Sequence, residues 1–444
     1  MKRIVVLLLA LMLTTASLAA CQKAEQTASP DTTVQATQSA TTAAAQSKAT
    51  EAQTSNNNTS TTKLTQGAEV VTTANVTSDG AINATDLFSD RDLKQTADLS
   101  EAVYYDLSDN NNITITSAGV YVISGSANNA SVIVEAGDND KVQLVLNGVT
   151  ITNESAPAIY VKNADKVFVT TVENTTSALT VSGTFTADGD TNTDAVIFSK
   201  DDLILNGLGT LNISSSDNGI SGKDDVKITG GTIGVTCISD AIEANESIAV
   251  ADGNITVNAN KDGLHAENDE DDTTGYIYIC GGTFNITTSG DCIQATTVCQ
   301  IDGGNITASG SEGIEATYVQ INGGTVNITA SDDGINGSNK SSAYTTTVEI
   351  NGGDVTVNMG QGDTDGIDSN GNLYINGGTV NVNANSPFDY DGEGKLSGGT
   401  VYVNGTQTTE LTNQMMGGGP GGMGGGMGGQ MPGGNMGGRG GFAQ

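Results

Sequence analysis

Ile321-Asn322-Gly323-Gly324-Thr325-Val326-Asn327-Ile328-Thr329-Ala330-Ser331-Asp332-Asp333-Gly334-Ile335 holds the pattern on which the fold turns. An apolar residue leads into a Gly pair, five residues then alternate polar and apolar, and an acid-small-Ile triplet closes the unit. Period-two alternation with one apolar face is a half-buried strand, and glycines with Asn or Asp between short strands are turns.

The unit recurs. Gly pairs follow Ile228-Thr229, Ile279-Cys280, Ile301-Asp302, Ile350-Asn351, Ile375-Asn376 and Leu396-Ser397, about 20–22 residues apart except where 267–274 and 336–346 interrupt the period. Strand and turn alone at ~20 residues per unit make one coil of a solenoid, whereas a propeller blade needs about 40. The expected fold is all-β, a right-handed parallel β-helix (β-solenoid), the hand following from the rule for parallel crossovers. The same texture reaches upstream through Val142-Gln143-Leu144-Val145-Leu146-Asn147-Gly148 and Leu203-Ile204-Leu205-Asn206-Gly207.

Outside the coils the composition changes. Residues 1–20 pair Lys2 and Arg3 with an apolar run over 4–13, an export signal too short to span a bilayer. The run ends Leu18-Ala19-Ala20-Cys21, which resembles the bacterial lipobox, with Cys21 as the lipidated residue. That places the chain on the extracellular face of a bacterial, Gram-positive membrane, touching lipid through the anchor alone. Residues 21–66 are Thr, Ala, Ser and Gln with too little apolar surface to fold, hence a flexible linker. The β-helix is expected over 67–413, and 414–444 form a Gly/Met-rich disordered tail.

Charge narrows the partners. Asp+Glu number 51 against 17 Lys+Arg, a net −34 that becomes more negative once the two leader cations are removed. Such a surface repels nucleic acid and favours divalent cations. Of the four cysteines within the coils, Cys299 takes an inward slot beside Ile248 and Val319. Cys237 joins a small-residue column with Ala259, Thr288, Ser309 and Ala330, while Cys292 and Cys280 take turn positions. No two share a column on adjacent coils, so no disulfide is expected.

Stacked coils bring equivalent residues to about 4.8 Å. The triplets then form a carboxylate file, Asp217, Asp240, Asp262, Asp291, Glu312, Asp333 and Asp365. A second polar column lies three residues on and holds Glu243, His265, Gln294, Glu315, Asn336 and Asp368. Asp224, Asp225, Glu267, 269–272 and Asp363 crowd the same edge. Adjacent carboxylates repel by on the order of 3 kcal/mol at an effective dielectric of ~20, so either their pKa values rise or a cation bridges them. All-oxygen donors suit Ca²⁺, and one His without a Cys-x-x-Cys argues against zinc. A solvated edge of turn-forming acids explains the same pattern without metal. On the strand before each Gly pair, Tyr276, Tyr278, Tyr318 and Tyr374 are candidates to stack on sugar rings. Tyr is also an ordinary strand residue. The strand after each pair shows outward Thr and Asn.

Several longer stretches carry a resemblance: Phe88-Ser89-Asp90-Arg91-Asp92-Leu93, Gly119-Val120-Tyr121-Val122-Ile123-Ser124-Gly125, Lys261-Asp262-Gly263-Leu264-His265-Ala266-Glu267-Asn268 and Phe388-Asp389-Tyr390-Asp391-Gly392. With the run from Gly360 to Gly371 and the Met/Gly tail, the chain resembles the secreted clostridial carbohydrate-binding domain proteins with a polysaccharide-lyase-like parallel β-helix. The resemblance implies a partner among plant cell-wall polysaccharides of pectin or cellulose type, calcium in the helix, and binding without catalysis. One rival is a calcium-dependent pectate-lyase-like enzyme with Lys223, Lys227 or Lys261 as base. The other is a structural or adhesive surface protein without glycan affinity.

Overall fold

The computed structural model describes residues 82–268, 270–360 and 364–413. Coil after coil, the chain runs a short strand, a Gly pair, a second strand, a turn and a third strand. Tyr318–Ile321, Thr325–Ala330 and Ile335–Gly337 make one such coil. Thr347–Ile350, Asp354–Met359 and Asp365–Ser369 make the next. All three pair in parallel with their successors, Val319 with Val348, Val326 with Val355 and Ile335 with Ile367. Three parallel faces result, here the first, second and third sheets in chain order within a coil. The body is a parallel β-helix, as the repeat requires.

The Gly pair turns the corner between first and second sheets for two separate reasons. Gly324 has φ +83°, which a side chain resists. Gly323 has no room, since a Cβ there would lie 2.5 Å from the carbonyl oxygen of Asp302 on the preceding coil. Near the N-terminal end the corner needs no break, and Lys141–Asn153 runs across both sheets as one strand.

Inward residues stack along the axis. Ile255, Phe284, Ile306, Val326, Val355 and Val380 form one buried file, and Val257, Ile286, Ala308, Ile328, Val357 and Val382 the next. Each fully buried Ile or Val contributes about 1.5–3 kcal/mol. Cys299 occupies its predicted inward slot between Ile277 and Val319. The Cys237 column passes through Ala259 and Thr288, then through Gly310 rather than Ser309, because Ser309 pairs with Thr287 and points outward. No disulfide joins the described cysteines. At the C-terminal end Thr406–Thr408 turns back antiparallel on Thr400–Val403 and covers the open edge.

Residues 82–102, expected to begin the coils, precede them: 82–95 form a strap along the outside of the first sheet, and coiling starts at Val103–Asp106. The strap starts against Gln300, whose side-chain oxygen accepts from the Ile82 N–H. A 3₁₀ turn, Ala84–Asp86, follows, and Leu87 and Phe88 pack on Ala249 and Tyr278. Lys227, buried beneath, donates to the Leu87 carbonyl at 3.0 Å. Asp92, 1% exposed, faces Lys166 at 3.6 Å, while the Arg91 guanidinium lies 4.4 Å above the Phe168 ring. Gln95 ends the strap by donating to the Thr229 carbonyl at 2.8 Å and accepting from the Gly207 N–H at 2.9 Å.

Removing Asp92 takes a buried partner from Lys166. Asp92→Ala is expected to cost on the order of 3 kcal/mol in chemical denaturation and to open a protease-sensitive point within 82–102. An unchanged denaturation midpoint and digestion pattern would show that the strap adds nothing to stability.

Candidate functional site

The third sheet builds the acid face. Pairing places Glu243, His265, Gln294, Glu315, Asn336 and Asp368 opposite one another in unbroken sequence, the predicted second column. The first file also forms, with one correction: Asn218, not Asp217, precedes Asp240. The Gly219 N–H bonds the Asp240 carbonyl, so Asn218-Gly219-Ile220 is the equivalent triplet. Asp217 sits one residue earlier and accepts from the Ser239 hydroxyl at 2.7 Å.

Members of the file cap one another. Asn218 Oδ1 accepts from the Asp240 N–H at 2.9 Å, Asp240 Oδ1 from Asp262 at 2.9 Å, and Asp262 Oδ1 from Asp291 at 2.8 Å. Further on, Asp333 Oδ1 accepts from Asp365 at 3.3 Å. One oxygen of Asp240, Asp262 and Asp333 therefore orders the next coil, and the other is left for an outside partner.

Those partners differ along the axis. In the N-terminal part, Asp240 Oδ2 meets Lys261 at 2.8 Å and His265 Nδ1 at 3.3 Å, while His265 Nε2 lies 2.9 Å from Glu267. Burial alone would raise Asp240, but the hydrogen bonds from His265 and Lys261 bring it down to about 2. Burial works against charge on His265 too, yet Asp240 prevails and its pKa is raised. Lys223 meets Glu243 at 3.4 Å, and Asn218 Nδ2 donates to the same carboxylate at 2.7 Å. These groups line a polar groove of about 820 Å³ with Asp194, Asn245 and Glu270. Asp194 has one oxygen buried without a partner and is pushed by burial to about 6.

In the middle of the file, oxygens of Asp291, Glu312 and Glu315 all lie within 4.8 Å of one another. Burial, then repulsion from Glu315, raise both Glu312, to about 8, and Asp291, to about 7. Lys340 reaches Glu315 at 2.8 Å, and Gln294 bridges Lys340 and Asp291 through its amide. Asn336 Nδ2 donates to Glu312 at 3.0 Å, while Asn336 Oδ1 is buried with no partner. At the C-terminal end burial, with Asp333 and Asp389, raises Asp368 to about 7. Asp363 lies outside the described residues, as do 269 and Cys21.

Other predicted neighbours fall elsewhere. Asp224 and Asp225 leave the file and gather with Asp202 at the edge of the first sheet, because Asp225 opens the first-sheet strand Asp225–Ile228. Lys227 is likewise on the first sheet beneath the strap, beside Asp225 at 3.8 Å and away from the acid file. The four tyrosines form no common sugar platform. Tyr278 is fully buried, with Phe88 of the strap 6.5 Å away, and Tyr276 is half-buried in the same cluster. Tyr318 is 7% exposed and donates to Glu349 at 2.8 Å; Tyr374, on the same open stretch, donates to Glu393 at 3.2 Å. Sequence missed the strap because 82–102 carries no repeat, although the match at Phe88 to Leu93 was a signal that these residues matter.

His265 is the only histidine in the chain, so its NMR titration is unambiguous. Its folded pKa lies above the ordinary 6.5. The stability it contributes is thus present below that value and lost as pH rises through the folded pKa. A midpoint above 6.5, returning toward 6.5 in Asp240→Asn, is expected; a wild-type midpoint at or below 6.5 would contradict the geometry.

The chain is similar to known proteins over the coils. The sequence matches the family described as carbohydrate-binding domain-containing protein over residues 109–364 and 307–413, the extent of the coils. A carbohydrate-binding domain-containing protein of Acetivibrio thermocellus is 41% identical over 200 residues, 44% of this chain and 70% of the relative. Among solved structures, the gadolinium derivative of a polysaccharide lyase-like protein from C. thermocellum is similar. It is 29% identical, with TM-score 0.43, over 51% of this chain and 93% of that one.

Proposed function

Since the chain belongs to the family of carbohydrate-binding domain-containing proteins, we propose that its β-helix binds a plant cell-wall polysaccharide, of pectin or cellulose type, lengthwise and without altering it. The observation that carries this reading is axial registry. Outward polar side chains recur in register from coil to coil, as exposed Thr283, Asn305 and Thr325 do after successive Gly pairs. A polymer lying along the axis therefore meets like groups at each step, and many weak contacts add along one chain. Lipidation at Cys21 and display on the outer cell surface complete the proposal, since a tether raises effective concentration at the wall.

Calcium enters as part of the same proposal. The residues fit a hard cation at Asp291, Glu312 and Glu315: the donors are all oxygen, they converge within 4.8 Å, and the Asn336 oxygen beside them is buried without a partner. Bound there, the ion would supply the positive charge that the repelling carboxylates lack, and a bridge to an acidic sugar. Against the lyase alternative, Lys261 has a pKa raised by Asp240 despite burial, so it is held protonated and unsuited to take a proton.

Two outcomes are expected. Glu312, Asp291 and Asp368 hold protons in the fold at pH values where the unfolded chain has shed them, so without metal stability falls as pH rises from about 4 toward 8. Calcium should therefore raise the melting temperature near pH 8 and have little effect near pH 5, and Glu312→Gln should shrink the gain. Equal melting curves with calcium and with chelator at both pH values would remove the ion from the proposal. Separately, the full-length chain should be retained on microcrystalline cellulose or calcium pectate with no unsaturated sugar released. Retention on neither would overturn carbohydrate binding, and released unsaturated uronate would restore the lyase.

A further inference from the structure

The three outward faces of the helix carry different chemistry. The first sheet is roofed by the strap and holds Lys166, Asp202, Asp225 and Lys227 beneath or beside it. The third carries the acid files. The second sheet is different: on the ten strands from Thr176–Val181 to Thr400–Val403 the outward positions are Thr, Asn or Ser almost throughout, and Asp354 is the single charge. Solvated faces ordinarily hold about 25–35% charged residues, and this chain has a net charge of −34. Acids are abundant in the sequence and are kept off this face.

What remains is an ordered array. Thr283, Asn285 and Thr287 lie beside Asn305, Thr307 and Ser309, each row in register with the next. Rows repeat about 4.8 Å apart along the axis, and side chains about 6.8 Å apart along each strand. Neighbours hold one another in place: Asn383 Nδ2 donates to Asn358 Oδ1 at 2.9 Å, and Asn381 Nδ2 lies 3.5 Å from Thr356 Oγ1. Hydroxyls and amides both donate and accept, which is also the chemistry of sugar hydroxyls. Pre-ordered side chains lose little freedom on contact. Ten strands of this width present roughly 700 Å², close to the ~800 Å² per partner of a stable specific interface.

One feature breaks the regularity. The middle row shrinks to a methyl at Ala178 and loses its side chain at Gly234, and a trough of about 420 Å³ opens between Asn212, Ser214, Thr236 and Thr256. Ile213 and Val235 also line it. With the side chains of Ile213 and Val235 turned into the core, the small residues Ala178 and Gly234 leave room between polar rims for the C–H face of a sugar ring with its hydroxyls at the edges.

We propose that the outer face of the second sheet is the docking surface for an uncharged, hydroxyl-rich polysaccharide presented as an ordered array, with the trough beside Gly234 seating one of its rings. The inference rests on the carbohydrate-binding reading above and names the face and the polymer class. A polyanion gains nothing from uncharged groups and is repelled by the net charge; a neutral polymer pays no such penalty.

The test uses the full-length chain on microcrystalline cellulose, with calcium pectate as the second matrix. Asn285→Glu/Asn327→Glu puts buried charge into the contact and is expected to lower retention on cellulose by about tenfold or more. Gly234→Thr fills the trough. Gly234 has an ordinary φ, and a Cβ there meets Asn212 Oδ1 at 3.1 Å, so only a side-chain tip must give. It should weaken retention while leaving the circular-dichroism spectrum and melting curve unchanged. Undiminished retention of both variants would overturn the inference and leave carbohydrate binding standing on another face. Wild-type retention on pectate but not cellulose would likewise remove the neutral polymer alone. Retention on neither matrix would sink the carbohydrate reading itself. Sedimentation velocity supplies the last arm: a wild-type dimer that the variants dissociate would make this face a self-contact and overturn the proposal.

Discussion

Everything in this molecule follows from the ~4.8 Å stacking of one coil on the next. A coil of about twenty residues cannot bury its own apolar face; it is closed only by its neighbours. Registry is therefore enforced, and whatever the coil carries at one position becomes a file. Inside, this is favourable, since Ile and Val stack on Ile and Val in one continuous core. Outside, the same rule multiplies any charge into a row of like charges at close range, which is unfavourable.

The acid face shows how the chain lives with that multiplication. One oxygen of Asp240, Asp262 and Asp333 is used to fix the backbone of the next coil, so those carboxylates are structural whatever else they do. The remaining charge is met locally. Lys223, Lys261 and His265 serve the N-terminal end, and Lys340 the middle. Glu312 and Asp368 are instead driven toward their protonated forms. Proton uptake and cation binding are two answers to one electrostatic problem. The middle of the file, where oxygens converge, is where the second becomes available.

Much of this was legible in the sequence because Gly pairs are punctuation. Gly323 and Gly324 each answer a backbone demand that no other residue meets, so their spacing fixes the register, and the register fixes which side chains meet. The column from Glu243 to Asp368 follows at once. The pattern is obscured where a triplet changes its letters: Asn218-Gly219-Ile220 has an amide in place of the acid, and Asp217 stands one residue from the place the repeat assigns to it. It fails for the strap, whose placement depends on non-repeating residues returning to strands far along the chain. Arg91 over Phe168 and Leu87 over Ala249 leave no periodic trace. That failure carried over to the tyrosines, since Tyr278 is outward on its strand and yet fully covered.

The strap also bears on how the other faces divide their roles. An outward file of Phe168, Ile204, Lys227, Ala249 and Tyr278 on successive coils would be a stripe of apolar side chains broken by one amine if open. Covering it costs ordering of residues 82–95, offset by a buried ion pair and a cluster of apolar contacts. The first sheet is thereby occupied over those coils. The third sheet, with overlapping loops joined where Ser342 donates to Asp272 at 3.0 Å, is walled and charged. The flat face left open is the neutral one. A single hydrogen bond from such a face has a net worth of about 0.5–1.5 kcal/mol, too little to hold a small sugar. Repeated in register along a polymer, the same contact becomes useful, and it is the stacking of coils that supplies the repetition.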